Sequence, residues 1–344
     1  MSSPYSDGLE QIDTLCPAVD PAAPLQFVVN GAAGCSDADT KRQVIEVALQ
    51  QTGRRGDFLV SNPSDLAGVA QLAAGKALAT NTAVVAVGGD GTLNTVAQAA
   101  HAAGCPIGVV PQGTFNYFAR THGISSDPAQ ATRQLLESTP LPVQVAAIND
   151  RVFLVNASLG LYPDLLEDRE AFKARFGRRR WVAFGAACVT LLRAQRQLRL
   201  LIELGSTGRN VRALTLFVGN NRLQLEHLGV QSRMPDGGDP GHSHGTGRIT
   251  SVMLRPIGTF AMARLMLRGA MGSLGDAQHV EHFEFDHMVV KPTLAHGRRG
   301  VKVAFDGEVA MIRAPLDFRV LSKPLYLLMP APVDTTRERG GAAG

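Results

Sequence analysis

Short runs of apolar residues alternate with longer mixed stretches in the first third of the chain. The runs are continuous, almost uncharged and rich in β-branched residues, which predicts buried strands of a parallel sheet. The mixed stretches are long enough for helices that begin at capping residues such as Ser36, Asp37 and Ser64. This alternation predicts a doubly wound α/β domain, in which ligands bind at the carboxyl ends of the strands. The predicted strands span residues 25–30, 58–61, 83–87 and 107–110, and the predicted helices span 36–51, 65–79 and 93–103.

From about residue 141, short strands replace this alternation. The segments 143–148 and 152–158 flank Asn149-Asp150-Arg151, which predicts a hairpin turn. Further strand-like segments, together with predicted helices near 165–195 and 260–271, predict an antiparallel β-sandwich as a second domain. The segments are LRLLIEL, ALTLFVGNN, RITSVML, FEFDHMVV, VKVAF and VAMIRA. We therefore expect a flexible leader at 1–22, an α/β domain at 23–144, a β-rich domain at 145–317 and a flexible tail at 331–344.

Composition narrows the class of protein. Of the 344 residues, 45% are hydrophobic and 6% are aromatic, as in a globular protein. The four cysteines, at positions 16, 35, 105 and 188, lack CxxC spacing, which predicts free thiols in a reducing compartment. The polar N-terminus has no secretory pattern, and the apolar run at 181–192 is too short to cross a bilayer, so we expect a cytoplasmic protein.

Charge is divided unevenly along the chain. Residues 1–145 carry 7 Lys and Arg against 12 Asp and Glu, whereas the remainder carries 27 against 18. The basic second half indicates an anionic partner, and the lack of an aromatic and basic nucleic-acid motif favours a membrane surface over nucleic acid. Arg178-Arg179-Arg180 beside Trp181 would suit contact with the inner membrane face, and a solvated basic face without a partner is the alternative.

The candidate chemistry centres on residues 88–92, Gly-Gly-Asp-Gly-Thr, between a predicted strand and a predicted helix. Glycines lack Cβ atoms and so let main-chain N–H groups approach a phosphate, while a helix N-terminus adds partial positive charge. Asp90 beside a phosphate indicates an intervening Mg²⁺ or bonds to the loop's own amides. Thr92 could donate its hydroxyl to phosphate or cap the helix. The alternative is a glycine turn that only redirects the chain.

A second motif follows at 113–120, Gly-Thr-Phe-Asn-Tyr-Phe-Ala-Arg, in which Thr114 and Asn116 are polar positions suited to a ligand. GGDGTLN followed by PxGTxNxFAR resembles the catalytic domain of the diacylglycerol kinase family of bacterial lipid kinases, in the superfamily of sphingosine kinases and NAD kinases. The resemblance extends over about residues 25–330. It implies that a final strand near Leu325–Leu328 returns to the first domain, which then also includes 318–330.

The resemblance implies an ATP-dependent lipid kinase whose site lies in the cleft between two domains. Asp306 and Glu308 belong to an Asp-Gly-Glu segment that by itself indicates a hairpin turn. By resemblance, Asp306 would be the general base and Glu308 a neighbour of the nucleotide or metal. Mg²⁺ would bridge the ATP phosphates near Asp90, and a lipid at a membrane surface would be the acceptor. A homodimer is left open. The residues implied to bind the nucleotide are Asn30, Gly31, Gly34, Gly88, Gly89, Asp90, Gly91, Thr92, Gly113, Thr114 and Asn116.

Several positions depart from the family pattern. The loop at 30–34 lacks the usual proline, Thr95 replaces a common glutamate, and Tyr117 replaces a common aspartate. An insertion at 235–247 disrupts a segment that holds a structural cation in some relatives, and its histidines, His242 and His244, are expected to be solvated. These departures keep two alternatives open. One is a kinase for a sphingoid base or another lipid alcohol, and the other is a catalytically weak regulator that binds nucleotide or lipid.

Overall fold

A computed structural model describes residues 16–31, 35–113, 115–160, 163, 197–220, 247–256, 280–294 and 299–330. Within this part, the chain forms an N-terminal α/β unit and two C-terminal antiparallel sheets, which confirms the predicted fold class. The predicted helices at 165–195 and 260–271, both histidines of the insertion, Gly34 and Thr114 lie outside the described residues.

The first unit is built on a six-stranded sheet. Its strands are β1 (Leu25–Asn30), β2 (Gly56–Ser61), β3 (Val84–Gly88), β4 (Ile107–Pro111), β5 (Ser138–Val143) and β18 (Leu325–Pro330). They lie in the order β2-β1-β3-β4-β18-β5 and pair in parallel, except that β5 is antiparallel to β18. The central strands are almost wholly buried, because helices cover a parallel sheet and leave its strands little contact with water.

Two pairs of helices cover this sheet, with α2 against α3 and α1 against α5. The described helices are α1 (Cys35–Thr52), α2 (Leu66–Ala79), α3 (Asp90–Ala103), α4 (Tyr117–Thr121) and α5 (Pro128–Leu136). Buried alanines on α2 and α3 allow close packing. Helix α3 begins at Asp90 rather than at the predicted Leu93, so most of the Gly-Gly-Asp-Gly-Thr motif forms the first helical turn. No helix in the described ranges combines the length and apolar character needed to cross a membrane.

The second unit consists of two six-stranded antiparallel sheets. One contains β6 (Ala146–Ile148), β7 (Arg151–Phe153), β9 (Leu198–Leu204), β10 (Thr207–Ala213), β14 (His287–Pro292) and β17 (Leu316–Val320), in the order β10-β9-β14-β17-β6-β7. The other contains β8 (Asn156–Gly160), β11 (Thr215–Gly219), β12 (Ile249–Leu254), β13 (Val280–Phe285), β15 (Gly300–Phe305) and β16 (Glu308–Arg313), in the order β13-β12-β11-β8-β15-β16. Residues of both sheets share one buried core, as in a β-sandwich.

Two details of this unit bear on the sequence predictions. The hairpin at 149–151 is confirmed, because β6 and β7 pair on either side of Asn149, which has a φ of 53°. The segment FEFDHMVV, predicted as one strand, instead contributes to β13 and β14, which belong to different sheets on either side of Asp286.

The chain passes between the two units at residues 152–155. The side chains of Val152, Leu154 and Val155 pack in the core of the first unit, whereas Phe153 packs in the core of the sandwich. Val152, Phe153 and Leu154 face alternate sides, as side chains of an extended segment do, whereas Val155 lies on the same side as Leu154. This segment is therefore shared by both cores, and it lies beside the candidate site.

Candidate active site

The glycine turn links β3 to α3 with almost no intervening loop. Strand β3 ends at Gly88, and Gly89 is the N-cap of α3 in an extended conformation. A Cβ at Gly88 would lie only 2.6 Å from the Thr92 hydroxyl, so the strand end and the first helical turn can meet only without a side chain there. The first N–H groups of α3 have no partner inside the helix, and their dipoles favour an anion at this end.

The end of the first strand contacts the same helical turn. The Asn30 side chain donates a hydrogen bond to the Thr92 hydroxyl over 2.9 Å, and Thr92 is buried. Of the two roles expected for Thr92, helix capping is wrong, because α3 begins at Asp90 with Gly89 as its cap; donation of its hydroxyl to phosphate stays a prediction. Gly31 follows directly after Asn30 and is half-buried. The last residue of β1 therefore meets the glycine turn through a specific side-chain contact.

The loop after β4 packs against the glycine turn through bare backbone. A Cβ at Gly113 would lie 2.8 Å from the Gly89 Cα, and the Gln112 N–H donates to the Gly88 carbonyl over 2.8 Å. Asn116, which has a φ of 47°, closes this loop, since its side chain accepts from the Gly113 N–H and donates to the Gly113 carbonyl, each over 2.8 Å. Asn116 thus shapes the loop, and its direct contact with a nucleotide stays a prediction.

Asp90 is the acidic residue of the glycine turn. Burial raises the pKa of its carboxyl group, and backbone N–H groups of Asn116 and Tyr117 oppose that shift by hydrogen bonding. Its Oδ1 atom is buried and has no hydrogen-bond partner among the described residues. An unpaired buried carboxylate oxygen is costly unless a donor or cation satisfies it. This oxygen fits the expected Mg²⁺, although the described residues contain no cluster of three or more metal-binding side chains.

Asp306 and Gly307 form the two-residue turn between β15 and β16. Their φ angles are 47° and 87°, and Phe305 pairs with Glu308 across the turn. This is the conformation that an Asp-Gly hairpin favours. The segment is therefore a hairpin turn, as its sequence alone indicates, yet Asp306 is only 5% exposed. Its carboxylate points into the junction between the two units.

Four donors surround the Asp306 carboxylate. Its Oδ2 accepts from the Asn94 side chain over 2.6 Å and from the Leu154 N–H over 2.7 Å. Its Oδ1 accepts from the N–H groups of Val155 and Asn156 over 2.8 and 3.0 Å. Burial raises the pKa of Asp306 to about 6, and these four hydrogen bonds oppose the rise. A pKa near neutrality suits a general base, but accepting a proton requires one of these bonds to open.

Glu308, at the other end of the turn, lies directly over the first turn of α3. A Cβ at Gly91 would collide with the Glu308 carboxylate, so the absence of a side chain at Gly91 makes room for it. Glu308 is exposed to solvent. The structure therefore brings together the glycine turn, the loop after β4 and the Asp-Gly-Glu hairpin. The roles assigned to these residues remain predictions.

Asn94 is a residue of this site that the sequence predictions did not single out. It is a buried amide on α3 beside Leu93, and it donates to Asp306 and to the Val152 carbonyl, the latter over 2.9 Å. The available signal in the sequence was an amide among the apolar residues Leu93, Val96 and Ala97 of the predicted helix. Asn220 also holds this segment, because its side chain donates a hydrogen bond to the Leu154 carbonyl over 3.0 Å.

An exposed aromatic pair borders the loop after β4. The rings of Phe115 and Tyr117 stack with centroids 5.4 Å apart, and each side chain is 38% exposed. Tyr117 occupies the position where the family that the sequence resembles, the diacylglycerol kinase family, commonly has aspartate. The rim of the site is therefore more apolar here than that pattern implies.

Comparison with known proteins agrees with this arrangement. Residues 24–148 match the diacylglycerol kinase catalytic domain family. The chain is 32% identical over 117 residues to a Klebsiella pneumoniae (strain 342) protein named as a candidate YegS-like lipid kinase, a match that covers 33% of this chain and 39% of that protein. It is 26% identical over 253 residues to a candidate lipid kinase of Staphylococcus aureus (strain MRSA252), covering 70% of this chain and 75% of the relative.

Solved structures share the fold. A crystal structure described as a candidate diacylglycerol kinase from Bacillus anthracis str. Sterne superposes with a TM-score of 0.66 at 20% identity, covering 90% of this chain and 98% of that one. A further structure of a diacylglycerol kinase from the same strain gives a TM-score of 0.62 at 17% identity, with the same coverage. At this level of identity, the likeness supports the two-unit architecture alone.

Proposed function

We propose that this chain, whose residues 24–148 match the diacylglycerol kinase catalytic domain family, is an ATP-dependent lipid kinase that phosphorylates a hydroxyl of diacylglycerol or a related lipid. The observation that carries the proposal is the approach of the Asp-Gly-Glu hairpin to the glycine turn, where the Glu308 carboxylate occupies the space above Gly91. Phosphoryl transfer depends mainly on positioning and on neutralising charge, and both can be supplied where these two segments face each other.

The phosphates of ATP would bind where bare main chain is available. The segment from Gly88 to Thr92, which ends β3 and forms the first turn of α3, offers N–H groups and a favourable dipole. The tight contact between Gly89 and Gly113 fixes the position of the neighbouring loop. Mg²⁺, when bound, would neutralise phosphate charge, and Asp90 with its unpaired Oδ1 is the residue suited to hold it directly or through water.

The acceptor hydroxyl would enter from the side of the sandwich. Glu308 is exposed there, and the second half of the chain is the basic one, which suits an anionic membrane surface. Asp306 takes the proton from the hydroxyl in this proposal. That step requires Asp306 to release one of its four donors, and its pKa of about 6 keeps it largely ionised at neutral pH.

The test is transfer of label from ATP to lipid. The purified protein is incubated with γ-labelled ATP, Mg²⁺ and separate vesicles that contain diacylglycerol, a sphingoid base or another lipid alcohol. Label in the diacylglycerol fraction supports the proposal, whereas label in another lipid supports the alternative substrate. ATP binding without transfer to any lipid contradicts the proposal and supports the alternative of a catalytically weak regulator that binds nucleotide or lipid.

A second test addresses the phosphate site. Gly89→Asp fills the space beside Gly113 and adds negative charge, so it should abolish ATP binding. Calorimetric titration with ATP measures this directly. An unchanged affinity for ATP would count against the glycine turn as the nucleotide site.

A further inference from the structure

The Asp306 carboxylate joins two parts of the molecule that are far apart in sequence. Asn94 belongs to α3 of the first unit, Asp306 belongs to the sandwich, and residues 154–156 run between the two cores. The bond from Asn94 spans 212 positions in the chain, and the bonds from the 154–156 backbone span about 150 positions. A single buried acceptor therefore holds three segments together.

The backbone of residues 154–156 has all its polar groups satisfied at this junction. Its three N–H groups donate to Asp306. The carbonyls of Leu154 and Val155 accept from the Asn220 side chain and N–H, and the Asn156 carbonyl accepts from the Asp306 N–H over 2.9 Å. Buried backbone groups must be paired in this way, so the segment has few other arrangements of equal energy.

Asn94 is suited to its place because a carboxamide nitrogen has two N–H groups. One reaches the Val152 carbonyl over 2.9 Å and the other reaches Asp306 over 2.6 Å. A side chain without these donors would leave both acceptors short of a partner in a buried position. Asn94 thereby fixes the Asp306 carboxylate relative to α3.

We propose that Asn94 is a positioning residue for phosphoryl transfer. By holding Asp306, Asn94 fixes the position of the two-residue turn of the hairpin. That turn fixes the position of the Glu308 carboxylate, which lies over Gly91 at the start of the same helix. Helix α3 thus contacts the hairpin at two points, one buried at Asn94 and one half-buried at Gly91. This inference rests on the proposed lipid kinase function, and it predicts that loss of Asn94 lowers turnover more than nucleotide binding.

The test compares Asn94→Ala with Gln98→Ala. Gln98 lies one turn further along α3 and accepts a hydrogen bond from the Val152 N–H over 3.2 Å, but it does not contact Asp306. We expect Asn94→Ala to lower kcat at least about tenfold with the KM for ATP changed less than about twofold. Gln98→Ala should leave both near wild type. If Asn94→Ala does not fold, Asn94→Ser replaces it in the same test. Serine is too short to reach Asp306 but keeps a polar group in the buried position.

Hydrogen exchange at residues 154–156 gives a second reading that does not depend on kinase activity. In Asn94→Ala, these amides should exchange at least about tenfold faster than in wild type, because their acceptor is less firmly held. Activity of Asn94→Ala equal to wild type, or a rise in KM without a fall in kcat, would overturn the positioning role. If wild type transfers no phosphate, the proposed function fails, and unchanged exchange in Asn94→Ala would then overturn the contact itself.

Discussion

The contact between Gly113 and Gly89 allows a sharp test of how the glycine turn and the loop after β4 are placed. A Cβ added at Gly113 would lie 2.8 Å from the Gly89 Cα and 2.7 Å from the Asn116 Oδ1. The φ angle of Gly113 is not in the left-handed region, so alanine can adopt the backbone conformation. The cost of Gly113→Ala therefore comes from the contact, and the loops must separate by about 0.7 Å to restore an ordinary carbon–carbon distance of about 3.5 Å.

Backbone cannot turn aside as a flexible side chain can, so this overlap must move a loop. Overpacking of this kind costs about 1–3 kcal/mol of unfolding free energy. A displacement approaching 1 Å at a reacting centre costs about 10²-fold in rate. We expect Gly113→Ala to fold with a lowered unfolding temperature, to bind ATP more weakly and to lose about 10²-fold in kcat/KM.

The matched control is Gly75→Ala on α2. A Cβ there has no heavy atom within 4 Å, and Gly75 lies inside a helix. Alanine is favoured over glycine at such a position by up to about 1 kcal/mol, so this variant should keep activity and unfold at an equal or higher temperature. Thermal unfolding with and without ATP and Mg²⁺, together with turnover, measures both variants. Wild-type ATP affinity in Gly113→Ala would refute the proposed packing of the loops.

Three further predictions follow from the hairpin. Gly91→Ala should leave the unfolding temperature unchanged or raised, because the exposed Glu308 side chain can move away from the added methyl group. Turnover should fall at least about tenfold. Turnover equal to that of wild type would show that the position of Glu308 is unimportant. Glu308→Gln should lower turnover by about 10²-fold with an unchanged unfolding temperature, as steady-state kinetics and calorimetry would report. For Asp306, the folded pKa of about 6 exceeds the ordinary value of 3.8, so its contribution to stability is present below about pH 4 and is lost as pH rises through 6. The unfolding free energy of wild type minus that of Asp306→Asn, measured by denaturant titration, should fall by up to about 3 kcal/mol as pH rises across this window; a difference that does not change with pH would contradict the raised pKa.

The first four strands and first three helices of the α/β unit could be predicted from local pattern, whereas α5 and β5 were not predicted. Apolar runs located β1 and β4 within a residue of their observed bounds, because continuous burial leaves a continuous apolar signal. The start of α3 was placed three residues late, since glycines at 89 and 91 suppress the helical signal. In the sandwich, alternation indicated strands but not their sheets, so β13 and β14 were merged.

The candidate site was also predictable only in part. The glycine turn is a continuous motif, and its approach to the loop after β4 follows from their position at the same edge of a parallel sheet. The burial of Asp306 could not be read from the chain, because an Asp-Gly turn is usually solvent-exposed and its partners lie about 150 and 212 positions away. Asn94 was missed for the same reason, as its role exists only after the two units pack.

The most direct test of the account is lipid phosphorylation by wild type and by Asp306→Asn, measured side by side with γ-labelled ATP and diacylglycerol vesicles. Calorimetry first establishes that the variant is folded and binds ATP. We expect label in the lipid fraction with wild type and a rate at least about 10²-fold lower with Asp306→Asn. Absence of labelled lipid with wild type, or near-normal transfer by the variant, would contradict the account.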